Sequence, residues 1–193
     1  DHAGVPSQPN ALEVSTSSAS SVNALVVREM PKAGTPPVSQ RLEFDVRVDQ
    51  ASGIEVAADA AVAAILYGDT VASGAVAIAF GAGPTLNAVY LEASDGGLPG
   101  YGTASSTGAF PTLGQWDGRL ALEITFNTGG SGTSGACAQV YLGAVPQLNP
   151  CLKLPDSLAH PVDTAIALGV YSGGLGKTGS VGLRYDDVTY TEE

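Results

Sequence analysis

The stretch Arg41-Leu42-Glu43-Phe44-Asp45-Val46-Arg47-Val48-Asp49 constrains this fold more than any other part of the chain. Apolar and charged residues alternate through it without a break. Successive side chains of an extended chain point to opposite sides. Leu42, Phe44, Val46 and Val48 therefore share one face, and Glu43, Asp45, Arg47 and Asp49 share the other. The pattern predicts a half-buried strand. It returns from Arg119 to Phe126, where Leu120, Leu122, Ile124 and Phe126 oppose Glu123, and again where Val181, Leu183 and Tyr185 alternate with Gly182, Arg184 and Asp186.

Other segments are apolar on both faces: Ala61–Tyr67, Ala75–Phe80, Ala88–Glu92, Ala138–Leu142 and Ala165–Tyr171. They fit strands covered on both sides. Ala11–Ser17 and Asn23–Glu29 complete a set of about ten strands, each bounded by Gly, Pro, Asn, Asp or Ser. Residues 57–64 are rich enough in alanine to suggest a helix, but Val56, Val62 and Ile65 form no amphipathic stripe, so this segment too reads as strand. The Gly/Ser/Thr-rich stretches 94–112 and 128–135 read as loops, the first long enough to carry function. No domain boundary is visible. The expectation is one domain over residues 1–193, with residues 1–10 irregular.

Charge excludes several partners. Eight basic against 19 acidic residues give a net charge of -11. Such a chain repels phosphate backbones and anionic membrane surfaces, so neither nucleic acid nor membrane is expected to bind. No apolar run reaches the roughly 18 residues of a membrane span. Cations such as Ca2+ remain candidates. Cys137 and Cys151 flank a segment containing Gly143, Pro146 and Pro150, which reads as loop. A bridge between them would fit an oxidising compartment. The start Asp1-His2-Ala3, without methionine, suggests a processed chain and, with the bridge, a secreted or cell-surface protein.

Taken in order, three motifs resemble the concanavalin A-like lectin/glucanase superfamily, especially its laminin G-like bacterial members. Leu42-Glu43-Phe44-Asp45-Val46-Arg47-Val48 is similar to an early "hydrophobic-x-F-D-V-x-V" strand. Gly114-Gln115-Trp116, followed by Leu120-Ala121-Leu122-Glu123-Ile124, resembles a "G-x-W" turn leading into a long strand. Leu168-Gly169-Val170 with Arg184-Tyr185-Asp186-Asp187-Val188 is similar to "L-G-hydrophobic … D-[DN]-V". The resemblance implies an all-β, two-sheet antiparallel jelly roll, often extracellular and often glycan-binding. It does not fix function, because this fold hosts lectins, hydrolases, lyases and structural modules. The sequence departs from the superfamily's catalytic branches. The retaining glucanases' "E-x-D-x-x-E" or "E-x-D-x-E" begins at Glu43 and Asp45, but Arg47 and Val48 stand where the last glutamate belongs. The Arg, Gln-x-His and Tyr motifs of the fold's alginate lyases are absent.

The candidate chemistry follows from these residues. Glu43 and Asp45 lie about 6–7 Å apart at the backbone, a spacing that glycosidase carboxylates use. Arg47 on the same face would pair with Asp45 and keep it ionised. Glu123 is a third carboxylate candidate. Tyr101, in the Gly-rich stretch 97–102, offers an aromatic face to a sugar; Trp116 could do the same, but its Gly-Gln-Trp-Asp-Gly turn favours a core aromatic; Asp95, in a Gly-rich turn, is a further ligand-binding candidate. Asp69, Asp95, Asp117 and Asp187 are candidate Ca2+ ligands. Asp186 and Asp187 should point to opposite faces, one bonding backbone amides at a sheet edge. Gly173–Gly179 ends in Gly-Lys-Thr but lacks the spacing of a phosphate loop, and reads as a hairpin turn. His160 has no nucleophile elbow to serve. With no complete catalytic set, the sequence favours a non-catalytic adhesion module binding a glycan or an extracellular protein. The alternatives are a self-associating structural subunit and a glycoside hydrolase or lyase working through Glu43, Asp45 and Glu123.

Overall fold

The alternating segments lie in one sheet and four of the five double-faced apolar segments lie in the other; the fifth, Ala138–Leu142, joins the first sheet with alternating burial. A computed structural model describes residues 11–16, 23–31, 37–52, 60–68, 74–81, 85–92, 100–105, 116–126, 135–159, 163–172 and 180–193. Their strands are β1 (Leu12–Thr16), β2 (Asn23–Glu29), β3 (Ser39–Ser52), β4 (Ala60–Tyr67), β5 (Gly74–Gly81), β6 (Thr85–Glu92) and β7 (Gly100–Ser105). β8 (Trp116–Phe126), β9 (Ala136–Leu142), β10 (Val145–Pro146), β11 (Leu152–Leu154), β12 (Thr164–Ser172) and β13 (Ser180–Glu192) follow. One short 3-10 turn, Asp156–Leu158, is the sole helical element among the described residues. The strands form two antiparallel sheets: a seven-stranded one in the order β1-β13-β3-β8-β9-β10, with β11 also on β9, and a six-stranded one in the order β2-β12-β4-β5-β6-β7. This is the jelly-roll sandwich that the resemblance implies.

The core lies between the sheets. Leu42, Phe44 and Val46 of β3 meet Leu120, Leu122 and Ile124 of β8 and Leu183 of β13, all buried, and face Ile65, Val76, Ile78, Leu86 and Ala88 of the other sheet. Removing this apolar area from water is the main stabilising force, at about 25 cal/mol per Å². On the outer side of the six-stranded sheet Ala77, Ala79, Val89 and Ala167 are buried too, while Val27, opposite Ala167, is 52% exposed.

Two polar ties cross the core. Tyr185 of β13 is buried, its ring 5.7 Å from that of Phe44. Its hydroxyl donates to the Val62 carbonyl at 2.6 Å and accepts from the Gly169 N–H at 3.2 Å. Both partners sit where the β4 and β12 ladders shift register. There the regular hydrogen bonds are interrupted, and the hydroxyl supplies replacements. Gly169 has φ 137°, a conformation that side chains disfavour. At the other end Gln40, 1% exposed, accepts from the Tyr67 hydroxyl at 3.0 Å and donates to Thr164 Oγ1 at 3.1 Å and Glu192 Oε1 at 3.0 Å.

Several sequence expectations change. β7 lies inside the stretch 94–112, so Tyr101 is on a strand opposite Leu91, not in a loop. The segment between the cysteines is a tight hairpin and not a plain loop: β9 turns at Gly143, with φ 60°, and β10 pairs back onto it. Residues 173–179, read as a hairpin turn, lie outside the described residues; the strands on either side of them, β12 and β13, belong to different sheets. A bulge in β13 follows Asp186, so Asp186 and Asp187 do not simply alternate. Asp187 takes φ 48° and its N–H donates to the Asp186 side chain at 3.0 Å. Residues 1–10, Asp69, Asp95 and His160 lie outside the described residues.

Candidate functional site

Register decides which polar residues meet. On the outer face of the seven-stranded sheet, antiparallel pairing lines up cross-strand rows. The first contains Glu13, Arg184, Arg47 and Asp117. The next contains Asp186, Asp45 and Arg119. Then come Thr189, Glu43, Ala121 and Tyr141, followed by Thr191, Arg41, Glu123 and Gln139. Residues opposite or diagonal in such rows are close enough for long side chains to touch.

They do touch, in a chain of alternating charge. Arg119 bonds Glu43 through Nε and Asp45 through Nη1, the latter at 3.3 Å. Glu43 is also held by Arg41 Nε at 3.0 Å, and Arg41 Nη1 reaches Glu123 at 2.7 Å. The Tyr141 hydroxyl donates to Glu123 Oε1 at 3.3 Å, and the Arg41 guanidinium lies 4.9 Å from the Tyr141 ring centre. The side chains of Glu43, Arg41 and Glu123 are 27–28% exposed and that of Arg119 39%, so a ligand can reach them.

The two β3 carboxyls are pushed in opposite directions. Hydrogen bonding to Arg119, opposed by partial burial and aided by Arg41, holds Glu43 below the usual carboxylate range. Burial pushes Asp45 upward despite Arg119, helped by the charges of Asp187 and Asp186. Arg119 itself gains from both carboxylates. Asp45 still rises because its side chain is only 5% exposed and desolvation outweighs the pair. Tyr141 is raised by burial and then by Glu123, so it stays protonated and able to donate.

These facts revise the candidate list. The guanidinium held against Asp45 is that of Arg119, directly opposite it. Asp45 is 4% exposed and not on an open solvated face. Glu43 and Glu123 are brought together through Arg41. Asp117 and Asp187 are exposed on the same sheet. Among the described residues no group of three or more His, Cys, Asp or Glu side chains is arranged to hold a metal ion. Trp116 opens β8 opposite Val48, and Tyr101 lies on β7 of the other sheet. Cys137 and Cys151 are bridged.

Sequence reading missed Arg41, Arg119 and Tyr141. Gln139 was also missed, but its amide is spent on the fold: Oε1 accepts from the N–H groups of Val140 and Leu148, and Nε2 donates to the Leu148 carbonyl. On the other sheet the outward side is mostly alanine and valine. Its buried Asn87 has a side-chain oxygen with no hydrogen-bond partner among the described residues.

No family model matches the chain, and no curated protein matches it in sequence. Its fold does match solved structures. The PL-14 alginate lyase from Aplysia kurodai superposes with a TM-score of 0.62 at 9% identity, over 97% of this chain and 86% of that one. The alginate lyase Aly36B in complex with an alginate trisaccharide gives 0.56 at 13%, over 95% and 82%. The alginate lyase from Klebsiella pneumoniae gives 0.50 at 14%, over 81% of this chain and 61% of that one, so this chain spans less than two thirds of that enzyme. These likenesses correct the expectation of a non-catalytic module: the solved structures sharing the fold are named as lyases, one of them a member of polysaccharide lyase family 7. What they establish for this chain is its fold, a two-sheet antiparallel jelly-roll sandwich that it shares with these structures.

Proposed function

We propose that this chain is a polysaccharide lyase whose substrate, a uronate-bearing glycan such as alginate, lies across the outer face of the seven-stranded sheet. The observation that carries the reading is the contact of the Tyr141 hydroxyl with Glu123 beside the Arg41 guanidinium. β-Elimination needs three things: a cation near the sugar carboxylate, a base for the proton on the adjacent carbon, and an acid for the leaving oxygen. Arg41 and Arg119 supply the cations. Glu123 takes the proton, the carbon–carbon double bond forms as the glycosidic carbon–oxygen bond breaks, and Tyr141 protonates the leaving oxygen. Proton return from Glu123 to Tyr141 along their hydrogen bond resets the pair.

Hydrolysis by two carboxyls fits less well. It needs a protonated carboxylic acid on the open face, and Glu43 is held ionised while Asp45 is buried. The Cys137–Cys151 bridge supports work in an oxidising compartment, outside the cytosol. The test is kinetic: Tyr141→Phe and Glu123→Gln should each lower kcat on polyuronates by about 100-fold or more. A Tyr141→Phe enzyme with unchanged turnover would remove this assignment.

A further inference from the structure

The geometry points to Glu43 as a specificity-determining residue: its carboxylate occupies the place between Arg41 and Arg119 that the carboxylate of an acidic sugar would take, and so weakens the binding of such sugars. Two guanidiniums converge on this one side chain. Arg41 Nε reaches Oε2 at 3.0 Å and Arg119 Nε reaches Oε1. Each oxygen is held by a different arginine, the arrangement that two arginines offer any carboxylate. Each arginine also keeps a second anchor, Arg41 on Glu123 and Arg119 on Asp45. Both guanidiniums would therefore remain in place without Glu43, their Nε donors still aimed at one spot.

Access and surroundings agree. Glu43 is 27% exposed and the arginines 28% and 39%, so a ligand carboxylate can compete for them. The next residue in its row toward Tyr141 is Ala121, which brings no polar group of its own. A tethered carboxylate competes at high effective concentration, so an acidic sugar must displace it before pairing with either arginine. Neutral sugars have no such competitor to displace.

This inference rests on the outer face being the glycan site, but not on turnover. The test is calorimetric titration of wild type, Glu43→Gln and Glu43→Ala with alginate trisaccharide and with its carboxyl-reduced counterpart. Both variants should bind the acidic trisaccharide about tenfold more tightly, with affinity for the reduced one unchanged. Glu43→Asp, which keeps the charge but shortens the reach, should fall between and guards against a misfolded larger change. Equal or weaker binding by variants that are folded at the assay temperature overturns the inference, and so does an equal gain for both ligands. Tighter acidic binding together with no polyuronate turnover by wild type upholds the inference and sinks the lyase reading. Turnover without the gain sinks the inference alone. Binding by none of the proteins sinks both.

Discussion

Tyr185→Phe isolates the hydroxyl that joins the two sheets. The variant keeps the ring and its packing 5.7 Å from Phe44. It loses the bond to the Val62 carbonyl at 2.6 Å and the bond accepted from the Gly169 N–H at 3.2 Å. The tyrosine is fully buried, so water is poorly placed to substitute, and burial already drives its pKa well above the usual phenol value. A neutral hydrogen bond contributes about 0.5–1.5 kcal/mol net, and a buried donor left without a partner costs about 1–3 kcal/mol. The expected loss is about 2–3 kcal/mol. For a domain of this size that lowers Tm by about 4–12 °C. Urea unfolding followed by circular dichroism would read the change, with an unaltered m-value if both states keep their compactness. A Phe variant within about 0.5 kcal/mol of wild type would show that the register shifts in β4 and β12 do not depend on this hydroxyl.

Three further outcomes follow from the same structure. Replacing Cys137 and Cys151 by serine opens a loop of about 15 residues and should cost about 3 kcal/mol in urea unfolding, and an unchanged midpoint would count against the bridge as a stabiliser. Glu43 has a lowered pKa in the fold, so its stabilisation is complete above the ordinary carboxylate range and fades as pH falls through the lowered value. The stability gap between wild type and Glu43→Gln should therefore be present at neutral pH and shrink on acidification below the ordinary carboxylate range, and a gap that widens on acidification would contradict the Arg119–Glu43 pairing. The net charge of -11 repels a polyanionic substrate, so kcat/KM on polyuronate should rise several-fold between about 10 mM and about 150 mM salt. A fall over that range would mean that local attraction dominates.

Much of the sandwich was legible. Period-two alternation marked β3, β8 and β13, and paired apolar faces marked β4, β5 and β12, because both patterns follow directly from burial of one or two strand faces. β7 was hidden because Gly100-Tyr101-Gly102-Thr103-Ala104-Ser105 has loop-like composition and becomes a strand only by pairing with β6. The site was half visible. Glu43, Asp45 and Glu123 stood out as carboxylates on alternating strands. Their partners come from register between distant strands, which alternation alone does not specify. Arg119 lies 74 residues from Asp45 in sequence, and Arg41 lies 82 from Glu123. A signal existed: Arg41-x-Glu43-x-Asp45 and Arg119-x-x-x-Glu123 are complementary when their strands run antiparallel. Tyr141 sat inside a segment read as apolar, where its hydroxyl looked incidental until Glu123 was placed beside it.

The central claim is elimination at the outer face of the seven-stranded sheet. The measurement that tests it most directly is product analysis of wild type on alginate, following reducing ends and the ultraviolet absorbance of a carboxylate-conjugated double bond together. The lyase account predicts one chromophore for every new reducing end, with both signals collapsing in Tyr141→Phe. Reducing ends without the chromophore would mean hydrolysis, and the absence of both would contradict the account.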